Sequence, residues 1–380
     1  MLLLYDDYKI EKFKYLHVAG EAMTTHNGKE MANNILVNGA SGRIGRAVTY
    51  ELSKDSTAVA VLNDLVPIDS IVRNFKRRDS THGTLDWEVE KVDDSTIKIN
   101  GQEIKVFNEK DPSKIPLRDY GVTIVEECSG VYAEKLDPHA FLDAGAERVI
   151  MSYPAKIKDA TLVVGVNHQI YDPRKHRLIS NGSCTTKALV APLAVLLNRG
   201  ITIESCLMNT IHSATNSQRV LDFGDKYATL NQIATAKTGA ATAAAEVIPM
   251  LKGKMGGLSY RVPTTDGSIA DIFLVASYPH ELDSERLNSF MREAAEDPRS
   301  PTYQGGRIAI HDEPEIASAD IIGRTENAIF VPSKTQVHKL PYRSANGNKV
   351  YHIRFLSAYD NEMGPPRDQA ILTDYIRFFQ

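Results

Sequence analysis

Residues 34–46 read NILVNGASGRIGR, an apolar run that breaks into a glycine-rich turn and then takes up a helical pattern. Residues 34–38 read as a strand, 43–53 as a helix and 58–63 as the next apolar strand, so the opening is a β-α-β unit. Gly39, Gly42 and Gly45 give GxxGxxG between strand and helix, where missing side chains permit a tight turn and let a pyrophosphate reach backbone amides. Arg43 and Ile44 open that helix and join the same candidate cofactor site. Asp64 follows the second strand, where a carboxylate accepts from an adenosine ribose and repels a 2′-phosphate, favouring NAD over NADP. Ser129 and Gly130 follow a later strand and are candidates for the nicotinamide side.

Further apolar runs at 122–127, 148–152 and 162–166, with a helical segment around 138–144, extend the alternation and predict a doubly wound, mainly parallel sheet. From residue 201 the pattern shifts to longer alternating runs at 201–214, 258–262, 269–277 and 349–357, which predict a larger mixed or antiparallel sheet. The fold class expected is therefore α/β: a Rossmann-type doubly wound parallel sheet plus an α+β catalytic domain. The boundaries that follow are a cofactor domain at 34–183, a catalytic domain at 184–360 and a segment 361–380 that returns to the first domain as a helix over 368–379. Residues 1–33 are expected to be an N-terminal extension, disordered over 1–30, with Met31 as an alternative start.

With 380 residues, 42% hydrophobic and 24% charged, the chain has material for a sizeable core in two domains. A formal net charge of -4 offers no electrostatic footprint for nucleic acid or an anionic membrane. No run approaches the roughly 20 apolar residues that span a bilayer. Cys128, Cys184 and Cys206 are too few and too irregularly spaced for a disulfide framework or a tetrahedral metal site, so a reducing, cytoplasmic setting is expected.

Cys184 stands where the loop SNGS gives way to the apolar helical run 184–197. First-turn amides and the positive end of the helix dipole favour a thiolate there, and a histidine partner favours it further. His212, in the β-prone run ESCLMNTIH, is the candidate partner and general base. Cys128 and Cys206, in apolar runs, read as small core residues.

The stretches NGASGRIGR, LNDL, RDSTHG, GVNHQIYD, SNGSCTT, TIHSAT, KTGAA, RVPT and YDNEMG occur in order, and from residue 35 onward the chain resembles the phosphorylating glyceraldehyde-3-phosphate dehydrogenase family, which includes erythrose-4-phosphate dehydrogenases. The resemblance implies NAD-dependent oxidation of a small phosphorylated aldehyde: attack by Cys184, proton uptake by His212, a thioester, and release by inorganic phosphate as an acyl phosphate. It assigns Thr215 and Arg261 to the substrate phosphate, Ser183, Thr185, Thr238 and Gly239 to the attacking phosphate, and Asn361 to the nicotinamide carboxamide. His82 and His168 also match and read as loop-structuring. A homo-oligomer, tetramer or dimer, is implied.

The chain departs from the family's pattern in several places. Its nucleotide turn GASG is one residue longer, and FGDKYATLNQ at 223–232 replaces a segment that would carry a second phosphate-directed arginine. Lys187, where an asparagine is usual, and Lys237 are candidate replacements for that arginine, and Pro365-Pro366 follows YDNEMG. Two alternatives therefore stand beside the default substrate: a paralogue for erythrose 4-phosphate or a specialised aldehyde, with hydrolysis of the thioester, and a noncatalytic binding protein.

Overall fold

Strand β1 (Ile35–Asn38) is buried at every position, as a central strand of a parallel sheet covered on both faces must be. The computed structural model describes residues 25–26, 29–30, 35–54, 59–215, 218, 220–222, 227–228 and 230–379. The disorder expected over residues 1–30 falls almost wholly outside the described residues, where only Thr25–His26 and Lys29–Glu30 pair as two short strands.

Chain order continues with α1 (Arg43–Ser53), β2 (Val59–Asn63), α2 (Ile68–Lys76), β3 (Val89–Lys91), β4 (Thr96–Ile99), β5 (Gln102–Phe107), β6 (Ile124–Glu127), α3 (His139–Asp143), β7 (Arg148–Met151), β8 (Ala160–Thr161) and β9 (Leu178–Ser180). They form one sheet in the order β8-β9-β7-β6-β1-β2-β5-β4-β3. All its neighbours run parallel except the β3-β4-β5 meander at one edge, which the sequence reading did not anticipate. A further correction concerns residues 162–166, expected as a strand. Only Ala160–Thr161 pairs with β9, and the chain then turns, with Val163 N donating to Asn167 Oδ1 at 2.8 Å and Asn167 N donating to Val163 O at 3.1 Å. Leu162, Val163 and Val164 are fully buried in that turn, and an apolar run of that length cannot be told from a strand by pattern alone.

The second half contains α4 (Cys184–Asn198), β10 (Thr202–His212), β11 (Ala234–Ala236), α5 (Ala240–Val247), β12 (Met255–Arg261), β13 (Ser268–Tyr278), α6 (Ser284–Glu296), β14 (Ile308–Ile310), β15 (Ala328–Phe330), β16 (Gln336–Arg343) and β17 (Lys349–Tyr359). Its sheet, ordered β11-β12-β10-β13-β17-β15-β14 with β16 on β17, mixes parallel and antiparallel pairs. Helix α4 is apolar all round because one side meets this sheet while the others face α5, α6 and α7 (Gly364–Arg377).

Helix α7 packs against α1, and its Ala370, Ile371, Leu372, Tyr375 and Ile376 lie in one core cluster with Ile35, Val37 and Val48. Gln369 Nε2 and Thr373 Oγ1 donate to Glu126 on β6, a carboxyl that burial pushes up to about 7. The helix begins earlier than its expected 368–379 because Pro365 and Pro366 occupy its first turn, where their missing N–H groups leave no bond unmade. Among the described residues no helix is long and apolar enough to cross a membrane.

Candidate functional site

Cys184 is the first residue of α4, with Ser183 as its N-cap accepting from Thr186 N at 3.1 Å. The helix thus directs its unsatisfied first-turn N–H groups at the sulfur's surroundings. His212 closes β10, and the parallel register of β10 with β12 sets it beside Arg261. Cys184 Sγ lies 3.5 Å from His212 Nε2. The Ser213 carbonyl lies 2.8 Å from Nδ1, on the side of the ring away from the sulfur, and Nε2 is the nitrogen that faces Cys184. Edge-on contact with the Tyr359 ring, centroids 5.9 Å apart, fixes the imidazole plane.

Burial, reinforced by Arg261, lowers His212 to about 4, so the ring is neutral at neutral pH. Arg261 Nη1 stands 2.6 Å from Nδ1 and donates to Ser213 O at 3.0 Å, while its buried Nε has no partner among the described residues. Burial raises the Cys184 thiol, opposed by hydrogen bonding from Thr185 and by the charges of Lys187 and Arg261.

Asn361 lies in the loop between β17 and α7. Its Oδ1 accepts from Ser213 Oγ at 2.6 Å and Ser268 Oγ at 2.9 Å, and its backbone N donates to Asp266 Oδ1 at 3.2 Å. With Oδ1 fixed that way, the Nδ2 donors are the ones left to face a ligand. Ser213 thereby links the histidine strand to the asparagine loop. The remaining predicted phosphate residues have partners within the protein. Thr185 Oγ1 is 3.0 Å from Tyr359 Oη, Thr215 N and Oγ1 both donate to Gln218 Oε1, and Thr238 Oγ1 accepts from Ala240 N beside Gly239, the N-cap of α5. The Ser183 hydroxyl serves its own helix.

At the nucleotide turn the glycines are needed for space. A Cβ on Gly45 would stand 2.0 Å from Gly39 O, and one on Gly39, at φ +75°, would stand 2.7 Å from Ser129 N. Helix α1 has no side-chain cap and no acidic residue in its first turn, so the amides at Arg43 and Ile44 suit a pyrophosphate. Asp64 Oδ2 accepts from Ser41 N at 2.8 Å and Ser41 Oγ at 2.7 Å, which ties the longer turn to the strand carboxylate. Ser129 N donates to Glu127 Oε1, and Gly130 follows at φ +73°. Two side chains turn away from the cofactor and substrate. The Arg43 guanidinium goes to Glu362 and Asp79, leaving its backbone amide for a cofactor. Lys187 is 1% exposed with Nζ 3.7 Å from Asp368 Oδ2, so it is turned into the core and replaces no surface arginine, whereas Lys237 is exposed.

Several residues escaped the sequence reading. Tyr359, Ser213 and Ser268 support His212 and Asn361, and the YDNEMG and TIHSAT stretches held the first two without marking their roles. His82, read as loop-structuring, does more: Nε2 contacts Glu362 Oε2 at 2.9 Å and Asp266 Oδ2 at 3.2 Å, bridging the first half of the chain to the second. Against the penalty of burial, the hydrogen bonds that His82 donates to Asp266 and Glu362 and the charge of Asp360 raise it to about 10. His168 structures its loop as expected, its Nδ1 accepting from Gly165 N at 3.1 Å.

Known proteins resemble the chain along most of its length. Residues 33–135 match "Glyceraldehyde 3-phosphate dehydrogenase, NAD binding domain" and residues 183–353 match "Glyceraldehyde 3-phosphate dehydrogenase, C-terminal domain". Glyceraldehyde-3-phosphate dehydrogenase 1 of Bacillus cereus is 39% identical over 330 residues, covering 85% of this chain and 92% of that protein. The Geobacillus stearothermophilus enzyme is 38% identical over 352 residues, 91% of this chain and 98% of its own, and the Streptomyces coelicolor one 38% over 343 residues, 88% and 96%. The chain belongs to the glyceraldehyde-3-phosphate dehydrogenase family, oxidoreductases in which an NAD-binding domain precedes the C-terminal domain that here carries Cys184 and His212.

Proposed function

We propose that the chain oxidises a small phosphorylated aldehyde, glyceraldehyde 3-phosphate, with NAD, through a thioester on Cys184. The observation that carries this reading is the 3.5 Å approach of Cys184 Sγ, at a helix N-terminus, to Nε2 of the neutral His212. Bound NAD supplies the hydride acceptor, and the residues that would hold it are the turn at Gly39, Gly42 and Gly45 with the amides of Arg43 and Ile44, Asp64 on the ribose, Ser129 and Gly130 beside the ring, and Asn361 Nδ2 on the carboxamide.

Cys184 sulfur attacks the carbonyl carbon while its proton passes by way of His212 to the aldehyde oxygen, giving a thiohemiacetal. As the hydride leaves, His212 Nε2 takes the hydroxyl proton and a thioester remains. The Cys184 amide and the helix start stabilise the oxygen as charge develops on it. Inorganic phosphate then attacks the acyl carbon, His212 returns the proton to sulfur, and an acyl phosphate departs. Arg261 and Thr215 serve the substrate phosphate, and Ser183, Thr185, Thr238 and Gly239 the attacking one, their hydroxyls exchanging present partners for an oxyanion. When substrate phosphate draws the guanidinium away from Nδ1, His212 becomes a better base.

A homo-oligomer, tetrameric by family resemblance, suits the outer face of the second sheet, where Leu207, Ile211, Leu258 and Phe273 share one face and remain exposed. A cytoplasmic setting suits three unpaired cysteines. The deciding experiment is NADH formation by the purified protein with glyceraldehyde 3-phosphate, with and without phosphate, beside a Cys184→Ser variant. Phosphate-dependent turnover lost in the variant supports the reading. Full activity in Cys184→Ser, or none with this aldehyde, overturns it, and a clear preference for erythrose 4-phosphate changes the substrate.

A further inference from the structure

Helix α4 carries a lysine in its first turn after Cys184, and that lysine is sealed in the protein. Lys187 lines the same small gap as Cys184, together with Glu326, Asn327, Asp360, Gly364 and Pro365. Its Nζ makes no hydrogen bond among the described residues, and neither does Asp368 Oδ2, 3.7 Å away. The other oxygen of Asp368 is already used, accepting from Arg307 Nε at 3.2 Å and Asn327 Nδ2 at 2.6 Å. Two buried cations therefore share one carboxylate, and the charge does not balance.

The other charged groups around the gap do not supply the missing anion. Glu326 is held by Arg324 at 2.9 Å and also acts on Arg307, Arg367 on α7 pairs with Glu51, and the Asp360 oxygens accept from the backbone N–H groups of Gly323, Glu362 and Met363. Leaving a full charge without a partner in such a place is costly. The gap also holds the Cys184 sulfur, one turn before Lys187 on the same helix.

We propose that the Lys187 ammonium is a buried countercharge for the Cys184 thiolate, a positioning residue that raises the share of reactive sulfur without touching substrate. It rests on the reading of Cys184 as the nucleophile. Burial and Arg307 hold Lys187 at about 8, opposed by Asp368, so the ammonium is present at neutral pH and is stabilised further whenever the sulfur ionises. Arg307 holds one oxygen of Asp368, and Lys187, 3.7 Å from the other, is the cation that also lines the Cys184 gap.

The test is the rate of Cys184 carbamidomethylation by iodoacetamide as a function of pH on the full chain, located by peptide mass spectrometry. Lys187→Gln should move the inflexion to higher pH by about one unit, which slows alkylation about tenfold below the inflexion. Lys187→Arg should bring the curve back toward wild type, and Asp368→Asn, which removes the competing carboxylate, should move it the other way. A Lys187→Gln curve that overlays wild type overturns the proposal while leaving Cys184 as nucleophile. Should Lys187→Gln fail to fold, an Asp368→Asn curve with no downward shift overturns it equally. A wild-type Cys184 that reacts at no pH overturns the nucleophile reading itself, and this proposal with it.

Discussion

At the scale of single residues the site turns on His212, whose neutrality is a product of where it lies. Replacing it by asparagine should lower kcat roughly 10²–10⁴-fold, the usual worth of a placed general base, while Cys184 still alkylates. The same residue makes stability depend on pH. Its folded-state value of about 4 is below the ordinary 6.5, so its contribution is complete above pH 6.5 and is lost as pH falls toward 4. That difference corresponds to about 3 kcal/mol. Urea unfolding near pH 7 and near pH 4 should show wild type losing more stability than His212→Asn; equal losses would refute the assignment. Cys184 stood out in the sequence because a cysteine at a loop-helix boundary announces itself locally, whereas His212, a histidine in an apolar strand, was singled out chiefly by the resemblance that TIHSAT carries. Lys187 was misread as facing substrate because the residues that enclose it, Asp368 and Arg307, are more than a hundred positions away and leave no mark near it.

The same distinction between local and distant causes operates at the level of elements. Helix α1 is where residues 43–53 placed it, since a glycine turn and an apolar run at helical spacing lie side by side in the chain. Gly45→Ala should abolish NAD binding measured by calorimetry, because backbone at 2.0 Å cannot yield without unmaking the turn. Ser183→Ala should cost α4 about 1 kcal/mol in urea unfolding, with a larger drop in activity if the hydroxyl also meets phosphate. Residues 162–166 were misread because hydrophobicity reports burial and not conformation, and Asn167 decides the turn through a hydrogen bond that no periodicity encodes.

Across the whole molecule, His82 joins Glu362 and Asp266 while Arg43 joins Glu362, so one acidic loop is held by two basic groups of the cofactor half. His82 is raised to about 10, hence its stabilisation is complete below pH 6.5 and fades as pH rises toward 10, opposite in sign to His212. Thermal unfolding should show His82→Gln less stable than wild type at neutral pH, with the gap narrowing on the alkaline side; a gap independent of pH would refute it. This clasp was invisible in the sequence, since RDSTHG and YDNEMG lie at opposite ends of the chain and only folding brings them together.

Helix α7 adds a consequence in time. Its aliphatic and tyrosine side chains fill the interior around β1, and Gln369 and Thr373 satisfy Glu126, so the cofactor half is made first on the ribosome but cannot close its interior until α7 has emerged. Nascent chains stalled before residue 364 should therefore expose a greasy, protease-sensitive sheet and gain resistance only once this helix has emerged, a vulnerability that chaperones would have to cover until then.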